Sequence, residues 1–257
     1  MRSDRAPLWL PLFAWGVLIG LHAPFVILAG HAFGFGGTGA EISGAEVNEA
    51  HGEGFSQSML ASFRLAAVST SFSVILGSLI ASAFAKGRES HRRFVSLLTL
   101  VPLALPALVS AVALLLTIRA LSLTPGFAAV VLIHTTFCVG LVSNNVMSSF
   151  RSVPAPLVDA SMDLGANWFQ TFRHVIFPGI APALLAAMLL VFVLSFGESV
   201  AVVVLAGNTE PLTLWILRQI EAGGTGRQTS AVVLVLALVP VIPVVVAWYF
   251  QRTRRGA

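Results

Sequence analysis

Acidic side chains are scarce in the apolar stretches of this sequence, and Glu198 stands alone in the run from Ala183 to Ala206. Counting from Pro182, sixteen helical residues at ~1.5 Å each place it ~24 Å along that run, in the outer half of a ~30 Å hydrocarbon layer. A carboxylate in such a setting is costly unless it meets a cavity or a partner. It either lines a polar path or is held by a neighbouring helix for structural reasons. His134, with Thr135 and Thr136 beside it, sits in a second apolar run, and Asn144 and Asn145 sit near the end of that run. The asparagines either line an inner gate or cap a helix; the histidine either lines the same path or is packed and hydrogen-bonded. No second His or Cys stands at metal-ligand spacing, so neither a metal site nor a cofactor is expected. No G-x-x-x-x-G-K-[S/T] loop occurs, and the lone lysine, Lys86, precedes Gly87. Any nucleotide hydrolysis must therefore come from another polypeptide. H-E-x-x-H and G-x-S-x-G are absent as well, so no catalytic residue is assigned and the chain is not expected to be an enzyme. Cys138, the single cysteine, cannot close an internal disulfide and reads as a packing residue.

The elements that position these groups follow from composition. Of the 257 residues, 56% are hydrophobic and 10% charged. With a mean hydropathy of +0.89, this is an integral membrane protein, all-α, with room for one membrane domain and short loops. Six spans are expected: Leu8 to Ala29, Ser58 to Ala85, Phe94 to Ile118, Phe127 to Met147, Ala183 to Ala206 and Ser230 to Phe250. The first is too long for the core of a cleaved signal peptide and reads as a retained helix. In the second, Ser69, Ser73 and Gly77 recur at four-residue steps, with Ser78 and Ser82 beyond, a spacing that lets helices approach closely. Pro102 and Pro106 should kink the third. Leu212 to Ile220 is expected to form a short helix on or dipping into the outer interface.

Basic residues set the orientation. Eleven of the fifteen fall on the segments assigned to the cytoplasm, and Arg119, Arg218 and Arg227 fall outside, with Arg64 at the outer end of span two. Both termini are therefore expected in the cytoplasm. The net charge of +4 is then a matter of topology and does not point to nucleic acid.

One long stretch between apolar runs is amphipathic: Pro154 to Pro182, P-A-P-L-V-D-A-S-M-D-L-G-A-N-W-F-Q-T-F-R-H-V-I-F-P-G-I-A-P. Leu157, Ala160, Ser161 and Leu164 share one helical face, with Asp159 and Asp163 on another. Gly165 should end this helix. Trp168, Phe169, Phe172, Val175 and Ile176 form a second apolar stripe, opposed by Asn167, Gln170, Thr171, Arg173 and His174. Pro178 and Pro182 should bar a smooth continuation into the next helix. Two short helices joined by a glycine turn on a membrane face make a unit that a soluble partner can grip.

This segment resembles the EAA loop of ABC importer permease subunits, written E-A-A, three residues, G, nine residues, I-x-L-P. Asp159, Ala160 and Ser161 hold the E-A-A places, Gly165 the glycine, Val175 the isoleucine, Phe177 the leucine and Pro178 the proline, with every spacing kept. The resemblance implies that the loop docks on a separate ATPase subunit and couples its motion to the membrane, with Trp168, Phe169 and Phe172 as hydrophobic contacts. From about Phe55 to Phe250 the layout is similar to the five-helix membrane domain of type I importers, preceded by one extra helix. That divides the chain into residues 1–55, a transmembrane domain at 56–250 and a basic tail at 251–257.

Within that superfamily, L-S-F-G-E-S-V-A-V-V-V-L-A-G-N from Leu194 to Asn208 is similar to the spermidine/putrescine permeases, which typically carry two adjacent acids where this chain has Gly197 and Glu198. Polyamines, ferric iron, thiamine or aminoethylphosphonate stay open as solutes. The implied partners are a second permease subunit, identical or paralogous, two ATP-binding subunits, an extracytoplasmic solute-binding protein and the lipid of a bacterial inner membrane. The rival readings are a secondary transporter driven by an ion gradient at Glu198 and a membrane scaffold that recruits a soluble protein.

Overall fold

The computed structural model describes residues 9–33, 48–85, 87–222, 227–239, 241 and 245. All regular structure among them is helical. Large apolar side chains such as Ile19, Phe63, Ile75, Leu97 and Leu116 are left exposed, as on a surface that lipid or a partner covers. Two compact units form. In one, α1 (Trp9–Phe33) packs with α11 (Arg227–Leu238). The other holds everything from α2 (Asn48–Phe84) to the first turn of α10 (Leu212–Glu221), including all the candidate site residues.

Three described helices are long and apolar enough to cross a membrane, at Gly54–Phe84, Phe127–Ser152 and Trp168–Gly197, and one bent helix pair passes the same test. The expected sixth span is described only in its first half, and the basic N- and C-terminal segments and Lys86 lie outside the described residues. Helix α2 begins ten residues before the expected Ser58, drawing Glu49 and Glu53 out of the expected outer loop. Its small residues do what their spacing predicts. Ser69 and Ser73 are wholly buried, and a Cβ at Gly77 would stand 2.6 Å from the Cβ of Val142, so α2 lies hard against α5 (Phe127–Ser152).

The expected third span is broken. Helices α3 (Glu89–Ala104) and α4 (Ala107–Ala120) meet at 91°, far more than a kink. Pro106 is the cause: it forces the preceding residue out of the helical region, and Leu105 is extended at φ −76°, ψ 144°. Pro102 stays inside α3 without breaking it. Helix α3 starts at Glu89, earlier than the expected Phe94, because Glu89 in its first turn pairs with Arg92 and Arg93. Helix α5 is the centre of this unit, burying Val130, His134, Cys138, Val142 and Val146 and packing against both α3 and α8 (Phe177–Gly197).

Candidate functional site

The loop that resembles the EAA segment folds as α6 (Ala155–Asp163), a turn, α7 (Trp168–Thr171) and a single π-helical turn at Phe172–Ile176. Gly165 closes α6 at φ +88°, with its N–H bonded to Met162 O at 2.9 Å and the Ala166 N–H to Ser161 O at 3.2 Å. This left-handed closure is the one that favours glycine. Two residues on, Asn167 and Gln170 exchange bonds: the Gln170 N–H donates to Asn167 Oδ1 at 2.9 Å and the Asn167 N–H to Gln170 Oε1 at 2.8 Å. That capping box starts α7 and holds the angle between the helices. The hydroxyls of Ser161 and Thr171, 2.8 Å apart, tie α6 to α7 across the turn.

The faces of this unit differ from the periodicity reading. Val158 and Ser161 point inward, with Val158 in the core, whereas Leu157 is exposed and Leu164 is 89% exposed. The inward face is chosen by the Ser161–Thr171 bond and the Val158 packing, and the leucines are left facing out. The second stripe divides as well. Ile176 is buried, Phe172 and Val175 are half-buried against the core, and Trp168 and Phe169 are exposed. Asp159, Ala160, Gly165, Phe177 and Pro178 are all exposed. The expected interruption at Pro178 and Pro182 does not occur, since helix runs continuously from Trp168 to Gly197. The π turn removes the conflict: the Phe177 N–H bonds Phe172 O, five residues back, and Pro178, which has no N–H to place, follows in the first turn of α8.

A second break lies at the far end of α8. The expected fifth span stops at Gly197, and α9 (Val200–Leu205) begins after Glu198 and Ser199. Glu198 makes this break tenable. Its Oε1 accepts from the Val200 N–H and its Oε2 from the Ala201 N–H, each at 2.9 Å, and its own carbonyl accepts from the Thr213 hydroxyl at 3.1 Å. The side chain does the work of a helix cap, satisfying amides that would otherwise be orphaned. His134, 1% exposed, brings its Nε2 to 3.5 Å from Glu198 Oε2.

Between the two broken helices lies a cavity of about 180 Å³. The α3–α4 break contributes Leu103, Leu105 and Ala107; α5 contributes His134, Phe137 and Cys138; α8 and its end contribute Leu194, Ser195 and Glu198. The structure thus brings Glu198 and His134 together. Asn144 is elsewhere. It is internal to α5, which runs on to Ser152, and its side chain donates to Gly140 O at 2.8 Å, so it caps nothing and does not line this cavity. Ser195 and the Leu105 break were not singled out from sequence, although Pro106 signals the break. The capping box at Asn167 and Gln170 was not singled out either, although an N-x-x-Q pattern before a hydrophobic run is its signal.

Residues 73–255 match the family of binding-protein-dependent transport system inner membrane components. The chain belongs to that family. This permease is 30% identical over 184 residues to the spermidine/putrescine transport system permease protein PotC of Escherichia coli K12, covering 70% of each chain. It is 28% identical over 236 residues to the PotC protein of Haemophilus influenzae, covering 88% of this chain and 92% of that one. Among solved structures, a bacterial ABC transporter involved in the import of the acidic polysaccharide alginate shares the fold, with a TM-score of 0.69 at 16% identity over 96% of this permease and 94% of that chain. The permease is therefore a multi-pass inner-membrane subunit of the type I ABC importer class, similar to polyamine permeases.

Proposed function

We propose that this permease forms half of a solute pathway and takes its driving force from a separate ATPase subunit gripped by residues 154–182. The observation that carries the reading is the construction of that segment. A left-handed glycine closure, a capping box and a hydroxyl pair make it rigid, while Leu157, Leu164, Trp168 and Phe169 turn outward. A rigid piece with an apolar outward face suits docking into a groove of a partner. The docking residues are Leu164, Trp168 and Phe169, with Asp159, Ala160 and Gly165 exposed as well; Ser161, Phe172 and Val175 brace the unit from behind, and Phe177 and Pro178 carry it into α8.

In this reading a second permease subunit completes the path, two ATP-binding subunits sit below it, a solute-binding protein delivers cargo from outside, and both termini lie in the cytoplasm. The proposed transmembrane domain at 56–250 includes both broken helices, with Glu198 and His134 on the solute path. A small cationic solute such as a polyamine agrees with the PotC relatives and with the acid at Glu198. The test is uptake in membrane vesicles that contain the permease, its ATPase and a solute-binding protein. ATP-dependent uptake that disappears in Gly165→Pro, with the ATPase still hydrolysing, is expected. Uptake by the permease alone, driven by an ion gradient, would overturn the reading.

A further inference from the structure

One face of α5 changes character along its length. His134, Cys138, Leu141, Asn145, Ser148 and Ser152 follow one another at alternating steps of four and three residues, so they share a single stripe of the helix. The first two are buried and line the cavity between the broken helices. Leu141 is half-buried, and Asn145, Ser148 and Ser152 are exposed. The stripe thus emerges from the protein interior on its way to the α6 end of the helix, and it turns polar where it emerges. Hydrocarbon does not suit such a face. Centred on a ~30 Å layer, the ~39 Å of α5 overhangs by only ~5 Å at each end, and Asn145 lies seven residues, ~10 Å, from the end at Ser152. Its amide carries two N–H donors and a carbonyl acceptor, more than the backbone of its own helix can meet. The Ser152 hydroxyl is less demanding and is settled locally, donating to Ser149 O at 2.8 Å. A face made for lipid looks otherwise: on α3, Phe94, Leu97, Leu98 and Val101 are exposed at the same helical spacing and all are apolar.

We propose that Asn145, Ser148 and Ser152 form one wall of the water-filled route by which solute leaves the cavity for the cytoplasm. The proposal rests on the importer reading and assigns the exit half of its path to a face of α5. Continuity supports it, because the stripe begins at the cavity itself. Direction supports it too: the stripe runs to the end of α5 that leads into α6, the segment assigned to the ATPase side. Its chemistry suits release. No Asp, Glu, Lys or Arg belongs to the stripe, so its exposed part offers amide and hydroxyl groups without a fixed charge. Such a wall hydrates a passing solute without holding it, which is what an exit requires.

The test is the rate at which a charged, water-borne methanethiosulfonate labels single introduced thiols in the permease–ATPase complex, held in lipid nanodiscs without nucleotide. The variants are Asn145→Cys and Ser148→Cys, with Leu79→Cys as the lipid-facing reference. Leu79 is 59% exposed and lies five residues from the end of α2 at Phe84, at a depth comparable to Ser148. Peptide mapping separates each introduced thiol from Cys138, which the unsubstituted complex reports alone. Labelling at positions 145 and 148 should outrun labelling at 79 by about ten-fold or more, since a thiol in apolar surroundings ionises less readily and lipid excludes the reagent. Ser148→Cys exchanges one atom and decides the matter if Asn145→Cys does not assemble. Equal rates at the three positions would put the stripe against lipid. Disulfide-linked permease dimers formed on oxidation, with no labelling, would put a second subunit's helix there; either result overturns the wall. The importer reading is judged apart from this, by ATP-dependent uptake with all subunits present. Uptake without the labelling difference sinks only the wall, whereas no uptake sinks the reading on which it rests.

Discussion

The two ends of α8 handle the same problem, an interruption in a membrane helix, in opposite ways. At the Trp168 end the interruption is a π turn, backbone bonding continues through it, and apolar rings are left on the outside. At the Glu198 end bonding stops, a carboxylate caps the fresh helix start, and polar groups are turned inward around a cavity. The Trp168 end keeps its backbone stiff and exposes apolar surface, as the proposed docking role requires. The Glu198 end does the reverse, giving up backbone bonding and gathering polar groups around a cavity.

The strongest way to break this comparison is Gly165→Pro. The residue sits at φ +88° and proline is held near −65°, so the closure of α6 is lost at a cost of about 3 kcal/mol. Uptake should fall below detection while the purified ATPase stays active; normal uptake would remove the rigid-unit argument. Next comes Glu198→Ala, which strips two amides of their acceptor and should destabilise the permease by about 2 kcal/mol, read as a lowered Tm in detergent. An unchanged Tm would mean that the break at Glu198 needs no cap. Ser161→Ala removes the tie to Thr171 and should cost about 1 kcal/mol, with the Thr171 hydroxyl, buried at 0% exposure, left unpaired. Smallest in stability is Trp168→Ala, within about 0.5 kcal/mol because the ring is 58% exposed, yet it should weaken ATPase binding by ten-fold or more if Trp168 is an interface anchor. Retained affinity for the ATPase would place the docking face elsewhere.

How far the sequence carried depended on whether the cause was local. The Gly165 closure and the small-residue approach at Gly77 follow from neighbours in sequence, and both were legible. So was the disturbance at Pro106, though not its size: local sterics push Leu105 out of the helix, but the 91° angle is set by how α3 and α4 each pack on their neighbours. Faces were harder. Leu157 and Leu164 satisfy the helical period for a buried stripe, yet the bond from Ser161 to Thr171, ten residues away, and the packing of Val158 rotate the buried side away from both leucines. Pro178 misled for a related reason, since a proline is read against an i−4 ladder and here the ladder widens to i−5 one residue before it. Glu198 was recognisable as an anomaly in an apolar run, but its task at the start of α9 was not, because the run carries no turn signal beyond Gly197 and Ser199. His134 came together with it only through the packing of α5 on α8.

The π turn at Phe172–Ile176 has a mechanical corollary. Because it splices α7 onto α8 without a hinge, the 30 residues from Trp168 to Gly197 form one strut of about 45 Å. A push of an ångström or two on the indole at its foot need not be relayed through any flexible joint to arrive beside the carboxylate at its head. Both ends of the strut therefore move together, and the first place where motion can be taken up is the break just beyond it, at Glu198 and Ser199.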